Sequence, residues 1–155
     1  SNDTFGRFDQ LGAGIVAGCC DAVVVSEEGR IGVSGPEVIE TTMGVDVFDS
    51  RDRALVWRTY GGANRYLQGT AREIVENSIG AFRGALAVLV GTAPDHSLEG
   101  LERERRALEE RAARFAGCRD AREIWRAMGI GDPETLSSAG AAGLRAAKGC
   151  RGGGS

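Results

Sequence analysis

The chain has very little of what most hydrolytic and metal enzymes use. Its 155 residues include a single histidine, His96, which follows the polar residues Pro94 and Asp95. One histidine in a polar segment makes a Ser-His-Asp triad or a histidine metal site implausible. We therefore expect no metal ion to be bound.

Cysteine is also scarce, and its spacing excludes the common cysteine sites. The four residues are Cys19, Cys20, Cys118 and Cys150, and no C-x-x-C pair is present. Two adjacent cysteines cannot easily pair with each other. We interpret all four as small, buried, reduced side chains of a cytoplasmic protein, rather than as disulfides or metal ligands.

Long apolar runs and strong charge are absent as well. The run from Ile15 to Val25 is interrupted by Gly18 and Asp21, so it is too short and too polar to span a bilayer. The first residues are polar and show no signal peptide. The net charge is -3, so nothing indicates a nucleic-acid or membrane surface.

The patterns that are present predict an α/β region followed by helices. A small-residue helix is expected over 10–20, then a strand at 22–25 buried on both faces, because the run is β-branched. A short strand is expected at 30–33. Helices are predicted from Gly35–Pro36 to Thr42, from an Asp49 or Ser50 cap to Tyr60, over 63–68 and over 78–90 with Ile79, Phe82, Leu86 and Val90 on its apolar face. A small strand is expected around Ile74.

A change of composition divides the chain. We expect an α/β region at 1–90, a linker at 91–96, a helical region at 97–149 and a flexible tail at 150–155. The helical region has two interpretations. It is either an amphipathic cover over the chain's own core or a subunit contact, because Phe115 and Trp125 suit both roles.

Glycines near the start suggest a binding role for the main chain. If a helix begins at Leu11–Gly14, its first amides lack intrahelical partners and lie at the positive end of the helix dipole. Such amides stabilise the oxyanion of a thioester enolate. The alternative is that these glycines serve close packing only. No G-x-G-x-x-G follows a strand, so a dinucleotide site is not indicated.

Two longer segments resemble a known family. Gly12 to Val25 is similar to the crotonase-superfamily order of glycine-rich turn, small-residue helix, Cys-Asp and strand. Gly-Pro-Glu-Val-Ile-Glu at 35–40, Phe-Asp-Ser-Arg-Asp-Arg-Ala-Leu-Val-Trp at 48–57 and Gly61-Gly62 most resemble the β subunits of biotin-independent malonate decarboxylases. The resemblance covers about residues 10–148.

The resemblance implies a crotonase-like fold, of which this chain matches the second half, with a C-terminal helical layer. It implies decarboxylation of a malonyl thioester, carried on the coenzyme-A-like arm of an acyl carrier protein, with no cofactor bound directly. The partner would be the crotonase-like γ subunit. The implied catalytic groups are the backbone amides of Gly12 and Ala13, with Glu37; the implied substrate-binding residues are Gly14, Gly35 and Pro36.

Two questions stay open at this point. Glu37 either transfers a proton or only orients its own turn. The chain is a decarboxylase subunit, a carboxyltransferase subunit acting with biotin, or a non-catalytic crotonase-like subunit that serves assembly. Crotonase-type domains supply oxyanion amides from two places, and this chain contains the expected second place only.

Overall fold

The computed structural model describes residues 13–92, 95–136 and 138–149. Two strands and nine helices are assigned within those ranges. In chain order they are α1 (Ala13–Gly18), β1 (Val24–Ser26), α2 (Pro36–Met43), α3 (Arg53–Tyr60), α4 (Gly62–Leu67), β2 (Glu73–Val75), α5 (Ile79–Val90), α6 (Leu98–Phe115), α7 (Ala121–Ala127), α8 (Pro133–Leu136) and α9 (Ala141–Gly149). Among the described residues, no helix is both long and apolar enough to cross a membrane.

The sheet is small and parallel, as expected of a mixed α/β unit. Val25 of β1 lies opposite Ile74 of β2, and the pairing extends one residue to each side. The predicted strand at 22–25 is displaced by two residues. Ala22 is exposed and unpaired, whereas Val25 and Ser26 are buried against the core. Partner pairing, rather than the β-branched run alone, sets the boundary.

Two further local predictions are wrong. Residues 30–33 form no strand; Arg30 makes an isolated antiparallel bridge to Gly61. The cap of α3 is Asp52, whose carboxylate accepts hydrogen bonds from the amides of Ala54 and Leu55. Asp49 instead accepts from the Arg51 amide, which keeps the preceding turn closed. A carboxylate just before a helix is a favourable cap, because it accepts hydrogen bonds from amides of the first turn that have no partner within the helix.

The main core joins the sheet to the C-terminal helices. Trp125, Ile130 and Leu144 are fully buried and pack in one cluster with Ile74 and Leu67. Residues far apart in sequence therefore bury their apolar surface together. Trp125 is a side chain of the chain's own core, which supports the cover interpretation for α7 to α9.

Helix α5 contradicts its predicted packing. Its twelve residues include one charged side chain, Arg83, yet none of them is buried. Ile79 is 81% exposed, Val88 74% and Val90 86%, and Leu86 and Phe82 are not buried either. The predicted apolar face therefore points away from the described core.

Most of helix α6 is exposed, and the adjacent cysteines are exposed where burial was predicted. Leu98, Leu101 and Leu108 lie on the surface, although Phe115 at the end of the helix packs against the core. Cys19 and Cys20 are exposed free thiols just after α1, so their interpretation as buried side chains is wrong. Cys118 is free and half-buried, while Cys150 lies outside the described residues.

An ionic network ties α3 to the C-terminal helices. Asp120 caps α7 through the Arg122 amide and lies 3.0 Å from the Nε atom of Arg122. The Nε atom of Arg58, on α3, lies 3.5 Å from the same carboxylate, and Arg122 also contacts Glu134 of α8. Burial acts to raise the pKa of Asp120, but the hydrogen bonds from Arg122 and the Arg58 charge outweigh it, so the pKa is lowered from 3.8.

We expect the Asp120→Asn variant to be less stable than the parent at pH 7. A lowered folded-state pKa means that the carboxylate stabilises the fold above pH 3.8, and that this contribution is lost as the pH falls through the folded-state value. The difference in urea midpoint should therefore shrink on acidification. Asp46→Asn, at an exposed carboxylate without an ion pair among the described residues, is the control. An Asp120→Asn difference that is constant with pH would contradict the assignment.

Candidate functional site

The Gly35–Pro36 turn starts α2 and sets the position of Glu37. Gly35 is extended at the helix cap, with φ -68° and ψ 157°, and buried Pro36 takes the first helical position. The amide of Val38 donates to the Gly35 carbonyl at 3.1 Å. Pro36 has a φ that suits this position and lacks only an amide that the helix would leave unpaired.

Glu37 lies on the surface of this turn. Its side chain is exposed, and its carboxylate forms no hydrogen bond or ion pair with another described residue. One carboxylate oxygen lies over Gly35, 3.2 Å from where a Cβ atom would be. The carboxylate is thus available to a ligand or a partner chain, and no arginine among the described residues holds it in place.

Tyr60, at the end of α3, has a buried hydroxyl oxygen with no hydrogen-bond partner within the described structure. Its ring packs against the backbone of Gly32 so closely that a Cβ atom there would collide with it. Burial raises the pKa of Tyr60 and the Glu37 charge adds to this effect, whereas Ser34 and Arg65 oppose it. The phenol therefore stays protonated at neutral pH.

The Gly61–Gly62 pair allows two chain segments to meet without side chains. A Cβ atom on Gly61 would collide with the Trp57 carbonyl, and one on Gly62 with the Ser26 carbonyl at the end of β1. The Gly62 amide donates to the Gly29 carbonyl at 2.7 Å. Close approach of two backbones is a position that only glycine fills, which gives this motif a structural reason.

A cavity of about 70 Å³ lies between α1 and the segment that leads to the turn. Ala17 and Gly18 line one side of it and Arg65 of α4 another. The remaining wall comes from Val23, Ile31, Val33, Thr70 and Ala71. The structure therefore brings the small-residue helix and the segment before Gly35 to the border of one cavity.

Arg65 is the charged group of this cavity. Its Nε and Nη2 atoms donate to the Ile31 carbonyl at 3.1 and 2.9 Å. Burial lowers the pKa of the guanidinium and the nearby Tyr60 opposes this effect; the group stays charged because arginine starts so high. This role could not be predicted from the sequence, because an arginine on a solvated helix surface has the same sequence pattern.

The predicted site residues fall into three groups in the structure. Gly12 lies outside the described residues. Ala13 and Gly14 are the first two residues of α1 as described. Gly35, Pro36 and Glu37 form the turn described above.

Comparisons with known proteins identify the class to which this arrangement is related. The described α/β fold is similar to a solved Pseudomonas malonate decarboxylase hetero-tetramer in complex with malonate. That likeness has a TM-score of 0.63 and 29% sequence identity, over 74% of this chain and 42% of the solved chain. No family model matches the sequence.

A curated protein is similar to this chain in sequence as well. The chain is 34% identical over 132 residues to the malonyl-S-ACP:biotin-protein carboxyltransferase MADC of Malonomonas rubra, an alignment that covers 81% of this chain. The chain spans about two fifths of each of these relatives, 41% and 42%. It is therefore related to malonate decarboxylases and their carboxyltransferases, and its fold is consistent with the crotonase-like one.

Proposed function

We propose that the chain is part of the β subunit of a biotin-independent malonate decarboxylase. The observation that carries this proposal is the similarity to two malonate-handling proteins over three quarters or more of the chain's length. The substrate would be malonyl held as a thioester on the coenzyme-A-like arm of an acyl carrier protein. The relative's name supports a carrier-bound substrate, because that protein acts on malonyl-S-ACP.

The proposed chemistry needs a place for one negative charge. Cleavage of the bond between the methylene carbon and the carboxylate releases CO₂, and the electron pair moves to the thioester oxygen as an enolate. A proton added at the methylene carbon then gives acetyl thioester. Donors aimed at that oxygen lower the barrier because the charge develops there. We assign one donor to the amide of Gly12 or Ala13, beside Gly14, at the start of α1.

A carboxyltransferase role is the second candidate, and the Malonomonas rubra relative is the observation in its favour. Both roles share the same enolate, and they differ only in whether CO₂ leaves free or is passed to biotin. The chain's proposed oxyanion group would serve either reaction. A non-catalytic assembly subunit is the third outcome.

One experiment separates these candidates. The complete subunit is assembled with its crotonase-like partner and supplied with malonyl carrier protein, and CO₂ and acetyl carrier protein are measured with and without a biotin carrier. Stoichiometric CO₂ without biotin supports the decarboxylase. Turnover that requires the biotin carrier supports the carboxyltransferase, and no turnover with either supports a non-catalytic subunit.

Glu37 provides a test of proton transfer. If its carboxylate only orients the Gly35–Pro36 turn, Glu37→Gln should reduce turnover by less than about tenfold; as a proton-transfer group it should cost about a hundredfold or more. We expect the smaller effect, because the carboxylate is exposed. Release of CO₂ is the measurement, and Glu28→Gln, on the turn after β1, is the control.

Helix α5 is the surface that we assign to the partner subunit. Its exposed side chains Ile79, Leu86 and Val90 lie on one side of the helix and form an apolar face that the described chain leaves uncovered. Monomers rarely expose large contiguous apolar patches. The similar solved structure is a hetero-tetramer, and a second crotonase-like subunit with an apolar face of its own is the occupant that fits.

Val90→Glu is expected to weaken assembly with the partner at least about tenfold, because a buried unpaired charge is costly in an apolar contact. Analytical size exclusion of the mixed subunits measures the effect. Val47→Glu makes the same change at an exposed valine on the segment after α2 and should leave assembly intact. Equal elution of both variants with the partner would contradict the assignment; a homodimer lost only in Val90→Glu would assign α5 to a second copy.

A further inference from the structure

Arg65 is a cation whose hydrogen-bonding capacity is only partly used. A guanidinium carries five N–H donors, and only Nε and one N–H of Nη2 are engaged, both with the Ile31 carbonyl. No carboxylate of the described residues lies within ion-pair distance of it. The Nη1–Nη2 edge therefore has three N–H groups left, which is the edge that binds a carboxylate in bidentate geometry.

The surroundings of Arg65 favour an anion bound to its free N–H groups, because apolar side chains displace water from the guanidinium. The side chain lines the cavity together with the apolar Val23, Ile31 and Val33. A guanidinium that loses water to apolar walls is stabilised by a paired anion. The Thr70 hydroxyl, at the rim, forms no hydrogen bond with another described residue and is a second donor for such an anion.

The size of the cavity restricts its ligand. A volume of about 70 Å³ holds a few water molecules or one carboxylate group, but not a phosphopantetheine arm. Gly18 lines the cavity, and a Cβ atom added there would meet nothing within 4 Å. The space is open on the side of α1.

We propose that the Arg65 cavity is a carboxylate-binding site. The cavity borders the last turn of α1, whereas the proposed oxyanion amide lies at the first residue of the helix, about 7 Å away along the axis. A malonyl group with a hydrogen bond at each end spans such a distance, so a carboxylate in this cavity and a thioester oxygen at the helix start are compatible with each other.

The carboxylate has two possible sources, and the chemistry is the same for both. It is either a free dicarboxylate such as malonate, or an acidic side chain that the partner subunit inserts on assembly. The site goes beyond the proposed function, because it requires no turnover.

Methyl NMR of the full chain locates binding directly, since Val23, Ile31 and Val33 report from the cavity wall. We expect their signals to shift saturably on titration with malonate at constant ionic strength. Arg65→Gln should weaken this binding at least tenfold. Gly18→Leu should block it while retaining Arg65, which keeps the test valid if Arg65→Gln fails to fold. Arg83→Gln, at an exposed arginine of α5, should bind malonate as the parent does.

Adding the partner subunit distinguishes the sources. Shifts of the same methyl signals on assembly, together with loss of malonate binding, assign the site to a partner carboxylate; malonate binding that persists in the complex assigns it to the free anion. Methyl signals that respond to neither malonate nor the partner overturn the proposal, as does equal malonate binding by the parent, Arg65→Gln and Gly18→Leu. A chain that binds malonate but releases no CO₂ in the assembled enzyme would keep this site while removing the proposed activity.

Discussion

Trp125→Ala is expected to lower the free energy of unfolding by about 3–5 kcal/mol, as large-to-small changes in a core do. Trp125 has no exposed surface, and its indole nitrogen donates to the Oδ1 atom of Asn64 at 3.1 Å. The variant leaves a cavity where the sheet side of the core meets α7 to α9. Urea unfolding followed by circular dichroism measures the loss.

Two companion variants separate volume from hydrogen bonding. Trp125→Phe retains most of the volume but loses the indole donor, so it should cost about 1–2 kcal/mol. Asn64 Oδ1 still accepts from Gln68 at 2.9 Å in that variant, which limits the cost. Leu108→Ala, at an exposed leucine of α6, should change stability by less than about 0.5 kcal/mol. A Trp125→Ala loss as small as that of Leu108→Ala would show that the two layers do not share a core.

The same experiment tests how the chain is divided. If residues 1–90 and 97–149 were independent units, unfolding would show two transitions, and Trp125→Ala would shift only the later one. A shared core predicts one cooperative transition that moves as a whole. A contact from α9 to the sheet also favours one shared core, because Arg145 pairs with Glu73 of β2 at 2.8 Å.

Local signals predicted most of the helices well. Pro36 after Gly35, and Ser78 and Ser97 ahead of apolar or charged periodic runs, each mark a helix start within one residue of the observed one. These signals are local because a cap satisfies amides of its own helix. The C-terminal stop at Gly61 was equally local, although Gly62 then opens α4 rather than a loop.

Burial was predicted poorly, because it depends on what covers a face. The periodicity of α5 indicated an apolar face, but the described chain supplies nothing to cover Leu86 or Val90. The predicted burial of Cys19 and Cys20 was wrong for the same reason, because α1 is short and lies on the surface. Sequence periodicity identifies a face, whereas burial requires a partner surface that periodicity does not name.

The residues of the candidate site also differ in whether they could be predicted from the sequence. The Gly35–Pro36–Glu37 turn could be found from the sequence, because turns and caps need particular residue types. Arg65 could not, since its importance comes from the Ile31 carbonyl and an apolar cavity that tertiary packing creates. The buried hydroxyl of Tyr60 is a similar case; the sequence indicated a core residue but not its unpaired oxygen.

Ala13→Pro is expected to reduce CO₂ release by the assembled enzyme about a hundred- to a thousandfold. Loss of one oxyanion donor costs about 3–4 kcal/mol in the transition state, and proline has no amide hydrogen to donate. Ala13 is the first residue of α1 as described, and proline at a first helical position has a suitable φ and removes no intrahelical hydrogen bond. The substitution therefore removes the donor and leaves the helix in place.

Ala13→Gly is the matched control, because it changes the side chain but keeps the amide, and it should retain turnover within about threefold. Gly12→Val tests the neighbouring position, where a branched side chain would block the approach of the thioester carbonyl to the main chain. Circular dichroism and co-elution with the partner establish that each variant folds and assembles. A folded Ala13→Pro complex at full activity, with Gly12→Val inactive, would move the donor to the Gly12 amide. Full activity in both would leave these residues with a packing role only, because neither the amide nor the open approach would then be needed for the enolate.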